Sequence, residues 1–174
     1  MRRVALVAVV VMCALVACGG ETEAKVQPYD RAPVPSVPDH THPVAATGAQ
    51  ADGDYWATAT GDDITAGAVG FTLVQAFFGP ACTAALGVDQ CDGEMGVQPD
   101  PSVTLTAPVA DLLSVSVAAA NRQNYAVPGS ELLSLVGGNP PGARAPADYT
   151  YQQFPFLVTV EGGVVTEAHQ IWMP

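Results

Sequence analysis

The chain has 174 residues, with 17 acidic and six basic side chains and a formal net charge of −11 at pH 7. Because a protein that binds nucleic acid needs a basic surface, this charge excludes nucleic acid as a partner. The single Lys, two Ile and three Asn, beside abundant Ala, Val, Gly and Pro, are typical of a GC-rich coding sequence.

Residues 1–17 are predicted to form a signal peptide. Two arginines precede the apolar run 4–17, which is shorter than the roughly 20 residues that a membrane-spanning helix needs. Leu15 and Ala17 stand three residues and one residue before Cys18, a pattern that resembles the lipobox of bacterial lipoproteins. An ordinary secretory signal or a stub of membrane helix is the alternative. We expect cleavage before Cys18 and a lipid on its thiol, which would anchor the chain to the outer face of the cell membrane.

The second cysteine of the apolar run, Cys13, is predicted to leave with the signal peptide. It follows Met12, which is too bulky for the cleavage pocket. The cleaved chain would keep all 17 acids and four cations, a net charge of about −13. So acidic a chain has no overall attraction for anionic lipid, so we expect the lipid on Cys18 to supply the attachment.

Residues 18–51 are predicted to be the lipidated cysteine and a disordered, proline-rich tether. The segment has five prolines and no hydrophobic periodicity. At about 3 Å per residue it would hold the domain several tens of ångströms from the membrane. Asp39, His40 and His42 suit Zn²⁺ or Cu²⁺ by ligand type, but nothing orders them, and we expect no metal.

Residues 52–174 are predicted to form one small β domain. Alternating apolar and polar residues predict strands at 55–60 and 68–78, joined as a hairpin. Pro80 and Gly87 then delimit a short helix.

Cys82 and Cys91 are an even pair once Cys18 carries lipid. Outside the cytoplasm such a pair predicts a disulfide, and the alternative of a thiol or metal site lacks a CxxC spacing and a neighbouring histidine. The acidic loop 89–100 could hold calcium, although its spacing does not fit an EF-hand. The acids of this loop are Asp89, Asp92, Glu94 and Asp100.

The second half of the domain is predicted to contain two strands, a helix and a terminal hairpin. Alternation predicts strands at 102–108 and 112–118. The segment 128–138 predicts a short helix with Ser130 as its N-cap and Gly137 at its end.

The terminal hairpin spans 154–172. A three-residue loop at 161–163 would place Val158, Val164 and Ala168 on one apolar face. A two-residue Gly-Gly turn would set Val158 opposite Glu167, so we expect the longer loop.

These elements indicate a mainly β fold with two short helices. A small antiparallel barrel of the OB type and a compact sandwich both fit. The segments DGDYWATAT, FTLVQAFFG and QIWMP resemble those of uncharacterised exported or lipid-anchored proteins from high-GC Gram-positive bacteria, which carry a proline-rich tether and a small β domain that ends in a Gly-turn hairpin. That resemblance implies no established activity or site residue.

Catalytic motifs are absent from the sequence. It contains no P-loop, GxGxxG, HExxH or GxSxG motif, and His169 is the only histidine of the predicted domain. A lone histidine on the last strand indicates an edge or surface residue. A cleft that brings His169 against a carboxylate and a hydroxyl would instead indicate catalysis.

Aromatic and polar side chains supply the candidate binding surface. Tyr and Trp combine a large contact area with a polar tip, and the alternative is that they fill a core poor in Leu and Ile. The candidates for a ligand or partner surface are Trp56, Arg122, Asn124, Tyr125, Tyr149, Tyr151 and Trp172.

We therefore expect a membrane-anchored extracytoplasmic lipoprotein that is not an enzyme, holds no cofactor and acts as a binding or envelope-associated module. Its partner would be an envelope protein or a small ligand. One alternative is a small-ligand-binding lipoprotein with an apolar cavity near Trp56, Phe71 or Phe156. A hydrolase that uses two facing carboxylates is the other.

Overall fold

The computed structural model describes residues 27–38, 41–60, 67–91 and 95–173. No helix among these residues is long and apolar enough to cross a membrane. Several predictions fall on residues outside the described ranges: the signal peptide, Cys18, Asp39, His40, Asp92 and Glu94.

One sheet of eight strands organises the described residues. In chain order the strands are β1 (Arg31–Ala32), β2 (Gly53–Thr60), β3 (Ala68–Phe78), β4 (Met95–Pro108), β5 (Ser114–Ala118), β6 (Asn124–Ala126), β7 (Phe156–Glu161) and β8 (Val164–Gln170). Across the sheet their order is β1-β6-β5-β8-β7-β2-β3-β4. Neighbouring strands are antiparallel, except that β5 and β8 are parallel.

The mainly β fold with two short helices is confirmed, and the helices are α1 (Gly79–Leu86) and α2 (Gly129–Val136). The sheet curves enough to bring parts of β4 within 8 Å of β8, Cα to Cα. In the described part of the chain, however, β1 and β4 remain its two edges. The sheet is therefore not closed, and the OB-type barrel is not formed.

The main core lies on one face of this curved sheet. Alternation along β2 directs Tyr55 into it, beside Phe71 of β3 and Phe156 of β7. The rings of Phe71 and Phe156 pack edge to face with centroids 5.8 Å apart. α2 covers the same core with Leu132 and Leu135. Full burial of side chains of this size stabilises the fold by about 1.5–3 kcal/mol each.

A second, smaller cluster lies on the opposite face of β2 and β3. Trp56 points away from the main core because it alternates with Tyr55, and it is 3% exposed. Trp56 therefore belongs to the interior, and its assignment to a binding surface is wrong. The buried residues of this cluster are Trp56, Val74, Met95 and Ile171.

The predicted helix and disulfide are both present beside β4. α1 has a proline in its first turn and ends before Gly87, as predicted. Cys82 is fully buried and bonded to Cys91, with Cα atoms 5.8 Å apart. Gly96 of β4 allows this close approach, because a Cβ on it would lie 2.8 Å from Cys82 Sγ. The predicted disulfide is thus confirmed.

β4 begins earlier than predicted. Residues 95–100, which the sequence places in an acidic loop, pair with β3, where Met95 lies opposite Phe78. Two prolines, Pro99 and Pro101, interrupt the alternation that would have identified this half of the strand. The pairing register shifts close to them, and an edge strand tolerates prolines because one side of it has no ladder to complete.

α2 differs from its prediction at one end. The N-cap is Pro128, whose carbonyl accepts hydrogen bonds from the N–H groups of Glu131 and Leu132. Ser130 lies inside the first turn, so its prediction as N-cap is wrong. Gly137 ends the helix as expected.

The terminal hairpin has a shorter loop than predicted and a compensating bulge. Glu161 pairs with Val164 across a two-residue turn, and both turn glycines have positive φ, as a type I′ turn requires. The register then shifts by one residue between Thr159 and Val160. The shift places Val158 opposite Ala168 and keeps both in the core.

The bulge explains why the two-residue turn, which the apolar pattern of the sequence disfavours, still leaves the apolar side chains on the buried face further along the hairpin. Thr166 is the extra residue, and its carbonyl accepts a hydrogen bond from Leu113, just before β5. Val165, at 1% exposure, takes the buried place that was expected for Val164, which is 43% exposed. The predicted loop and the predicted position of Val164 are therefore wrong.

Parts of the segment predicted as a disordered tether pack on the domain. β1 lies within it and pairs with β6, with Arg31 opposite Tyr125. Tyr29, two residues earlier, is buried in the main core.

The later part of this segment is also attached to the domain. His42 donates its backbone N–H to Asp54, and the buried Gln50 forms two hydrogen bonds with the backbone of Ala45. The domain boundary at residues 51/52 is therefore wrong, because the fold already includes Tyr29. The sequence does not reveal β1, because a strand of two residues is too short to show alternation and because prolines surround it.

Candidate functional site

The predicted binding residues separate into an interior group and a surface group. Trp56 lies in the second cluster, and Asn124 is fully buried in the sheet. Tyr125 and Tyr149 are 7% and 6% exposed. Only Arg122 is exposed, and Tyr151 and Trp172 are partly buried. The seven residues thus do not form one continuous surface.

Two of the predicted tyrosines belong to a three-ring cluster. Tyr149 packs edge to face against Tyr29 and Tyr125, with centroid distances of 5.4 and 6.1 Å. Tyr29 donates a 2.6 Å hydrogen bond to Glu131 Oε1, which also accepts the N–H of Gly142 at 2.7 Å. Sequence reasoning missed Tyr29 and Glu131, because nothing in the chain indicates that residues so far apart meet.

The phenols here stay protonated. Burial, followed by the hydrogen bond and charge of Glu131, raises the pKa of Tyr29 above the usual value of about 10. Burial raises the pKa of Tyr149 and of Tyr151 as well. Each hydroxyl is therefore a hydrogen-bond donor at physiological pH. The buried Tyr149 hydroxyl has no partner among the described residues.

A cavity of about 300 Å³ opens beside this cluster, between a turn at 119–123 and a loop at 146–149. Its size is at the lower end of the range for small-molecule sites. Tyr125 and Tyr149 are its aromatic wall, and Asp148 adds an exposed carboxylate. The full lining is Ala119, Ala120, Asn121, Tyr125, Pro146, Asp148 and Tyr149.

The turn that forms one side of the cavity also carries Arg122. Its backbone has φ of 67°, the left-handed region that few residues other than Gly, Asn and Asp adopt. The guanidinium of Arg122 lies 4.2 Å above the ring of Trp172, which in turn contacts Phe154. Two predicted surface residues, Arg122 and Trp172, are therefore brought together by a cation–π contact.

A second set of polar side chains connects three strands. Asn124 Nδ2 donates to Ser116 Oγ at 3.2 Å, and Ser116 Oγ lies 3.0 Å from His169 Nδ1. His169 Nε2 lies 3.3 Å from Glu167 Oε2. The neutral tautomer of His169 with its proton on Nε2 satisfies these contacts. Its Nδ1 accepts a hydrogen bond from the Ser116 hydroxyl, and its Nε2–H donates one to the Glu167 carboxylate.

This set has the residue types of a hydrolase triad without an accessible nucleophile. Ser116 is 2% exposed, and its hydroxyl is already held by Asn124 and His169. Ser116 does not line the 300 Å³ cavity. The 300 Å³ cavity therefore does not supply, at Ser116, the cleft that would indicate catalysis. Sequence reasoning missed the set, because the parallel pairing of β5 with β8 is a long-range feature.

The metal sites weighed from the sequence, and the apolar cavity of the alternative hypothesis, are not assembled by the described residues. No group of three His, Cys, Asp or Glu side chains within those residues could hold a metal ion. His42 instead packs against Tyr55, with ring centroids 5.8 Å apart. Trp56, Phe71 and Phe156 are packed in the two hydrophobic clusters and do not line the 300 Å³ cavity.

Comparisons with known proteins give no relative on which to model this site. No protein-family model, no curated protein and no solved structure matches the chain.

Proposed function

We propose that the chain is an extracytoplasmic lipoprotein, anchored through Cys18, whose β domain is a binding module for a small ligand and is not an enzyme. The observation that carries the binding role is the 300 Å³ cavity, whose aromatic wall includes Tyr149, a residue with a buried hydroxyl that has no partner among the described residues. Buried polar groups are nearly always paired, so a ligand atom is a natural acceptor for this hydroxyl.

The pairing of Cys82 with Cys91 supports the location. A disulfide is typical of proteins outside the cytoplasm, and this one accounts for two of the three cysteines that follow residue 17. The remaining one, Cys18, is free for the lipid.

The chemistry of the cavity indicates which ligands to test. Tyrosine faces favour a planar or apolar group, and the carboxylate of Asp148 and the amide of Asn121 favour a polar or cationic one. Fragments of peptidoglycan and of lipid head groups combine these features and occur in the envelope.

The test is a titration of the isotope-labelled domain with such fragments, followed by NMR. Ligands should shift the amide signals of Ala119, Ala120 and Tyr149, and the variant Ala120→Trp should abolish the shifts by filling the cavity. Ala84→Trp, on the exposed side of α1, is the matched control and should leave them unchanged. Ligands that bind Ala120→Trp as well as the wild type would contradict the proposed site.

A further inference from the structure

A groove of about 230 Å³ lies between β5, β6 and the first described residues of the chain. Leu113, at its rim, is 78% exposed, more than any other large hydrophobic residue described. None of the lining residues is charged, although the chain as a whole is strongly acidic: they are Gln27, Pro28, Leu113, Ser114, Val115, Ala126, Val127 and Pro128.

Two of the chain's few cations lie near this groove. Arg144 Nη1 donates to the Gln27 side chain at 3.4 Å, and Arg31 is exposed on β1. Lys25 precedes Gln27 by two residues. Two of the four cations that follow residue 17, Arg31 and Arg144, thus lie near one end of the groove.

Acidic side chains lie near the groove as well. Asp30 accepts a hydrogen bond from the backbone N–H of Gln27 at 3.0 Å, so its carboxylate is held against the chain. Asp111 is two residues before Leu113. Glu131 donates its backbone N–H to the lining residue Pro128, and Glu167 pairs opposite Ser114. The surroundings of the groove are therefore not basic, and its uncharged lining with the exposed Leu113 is what suits it to an apolar interface.

The path of the chain places this groove close to any lipid on Cys18. Only nine residue steps separate Cys18 from Gln27. They span at most about 30 Å when fully extended and about 17 Å on average as a flexible coil. The long spacer expected from sequence does not exist, because Tyr29 and β1 are part of the fold.

From these observations we infer that the face around Leu113 and Gln27 docks on the surface of the membrane to which Cys18 anchors the chain. Leu113 enters the interfacial region, while Arg31 and Arg144 approach lipid phosphates. This inference rests on the proposed lipid anchor. It adds an orientation: the cavity beside Tyr149 is held within a few tens of ångströms of the bilayer.

The test places a tryptophan on the docking face and asks whether lipid reaches it. Full-length protein, purified from the membranes of a bacterial host, is reconstituted into phosphatidylcholine–phosphatidylglycerol vesicles with and without brominated acyl chains. The variants are Leu113→Trp and the control Val88→Trp. Val88 is 74% exposed and follows α1, which packs on β3 and β4 at the other end of the sheet order.

The added emission of Leu113→Trp should fall by roughly half with brominated lipid, because an interfacial side chain lies near the acyl chains. Val88→Trp should show only the quenching of the wild type. Protein that sediments with vesicles but shows equal quenching at both positions overturns the docking alone. Protein that does not sediment overturns the anchor and the docking together.

A second copy of the chain is the competing occupant of this face. If the Leu113→Trp emission changes with protein concentration and not with lipid bromination, the face is a contact between copies, and membrane docking is wrong.

Discussion

Tyr29 donates a 2.6 Å hydrogen bond to Glu131, a residue 102 positions later in the chain. This contact connects a segment that reads as a linker to the helix that covers the main core. It makes the N-terminal segment part of the domain, so the folded part of the chain begins well before residue 52.

The first prediction concerns this contact. Tyr29→Phe keeps the ring against Tyr149 but leaves Glu131 with one hydrogen-bond donor fewer, so we expect a loss of about 1–3 kcal/mol in the free energy of unfolding. Urea denaturation measures the loss. Tyr151→Phe is the control for removing a partly buried hydroxyl elsewhere and should cost less. An unchanged stability for Tyr29→Phe would mean that the segment does not hold to the domain.

The second prediction follows from the raised tyrosine pKa values. Below the unfolded pKa of about 10, folded and unfolded chains both keep these protons. Above it the unfolded chain loses protons that Tyr29, Tyr149 and Tyr151 retain when folded. Stability should therefore fall as pH rises beyond about 10, by up to about 1.4 kcal/mol per pH unit for each tyrosine.

Urea denaturation at several alkaline pH values checks this slope. Tyr149→Phe should make this slope shallower by up to about 1.4 kcal/mol per pH unit, because that variant has one hydroxyl fewer to titrate. A stability that stays flat to high pH in the wild type would show that these phenols titrate normally.

The third prediction concerns the disulfide. Replacing both Cys82 and Cys91 with Ser should lower the free energy of unfolding by roughly 2–3 kcal/mol, since the bridge closes a short loop. Wild-type protein treated with reductant should match the double variant. If reductant leaves stability unchanged although alkylation shows two free thiols, the bridge contributes nothing to the fold.

The fourth prediction separates a structural role of Ser116 from a catalytic one. Ser116→Ala removes a hydroxyl that contacts Asn124 and His169, and should destabilise the domain by about 1–3 kcal/mol. Ser114→Ala, at an exposed position of the same strand, should change stability by less than about 0.5 kcal/mol. A fluorophosphonate probe should label neither serine, and labelling that disappears in Ser116→Ala would establish a nucleophile.

Local pattern predicted much of this fold. Alternation predicted β3 at its observed bounds, 68–78, and Pro80 and Gly87 delimited α1. These features depend on neighbours in the chain, whose periodicity and turn chemistry are visible in the sequence. The disulfide followed from counting cysteines.

Features that depend on distant pairing could not be predicted. β1 has two residues, too few for a period, and prolines surround it. The parallel pairing of β5 with β8, which brings Ser116 to His169, has no local signal. In the hairpin, Val158 lies opposite Ala168 because Thr166 forms a bulge. A prediction that assumes one uninterrupted register cannot find this pairing.

The measurement that tests the lipid anchor most directly is metabolic labelling with palmitate of cells that produce the wild type, Cys18→Ala or Cys13→Ala. The two cysteines lie five residues apart around the end of one apolar run, so each variant controls for the other. We expect label on the wild type and on Cys13→Ala and none on Cys18→Ala. Label that persists on Cys18→Ala, or an unlabelled wild type, would contradict the lipid anchor at Cys18.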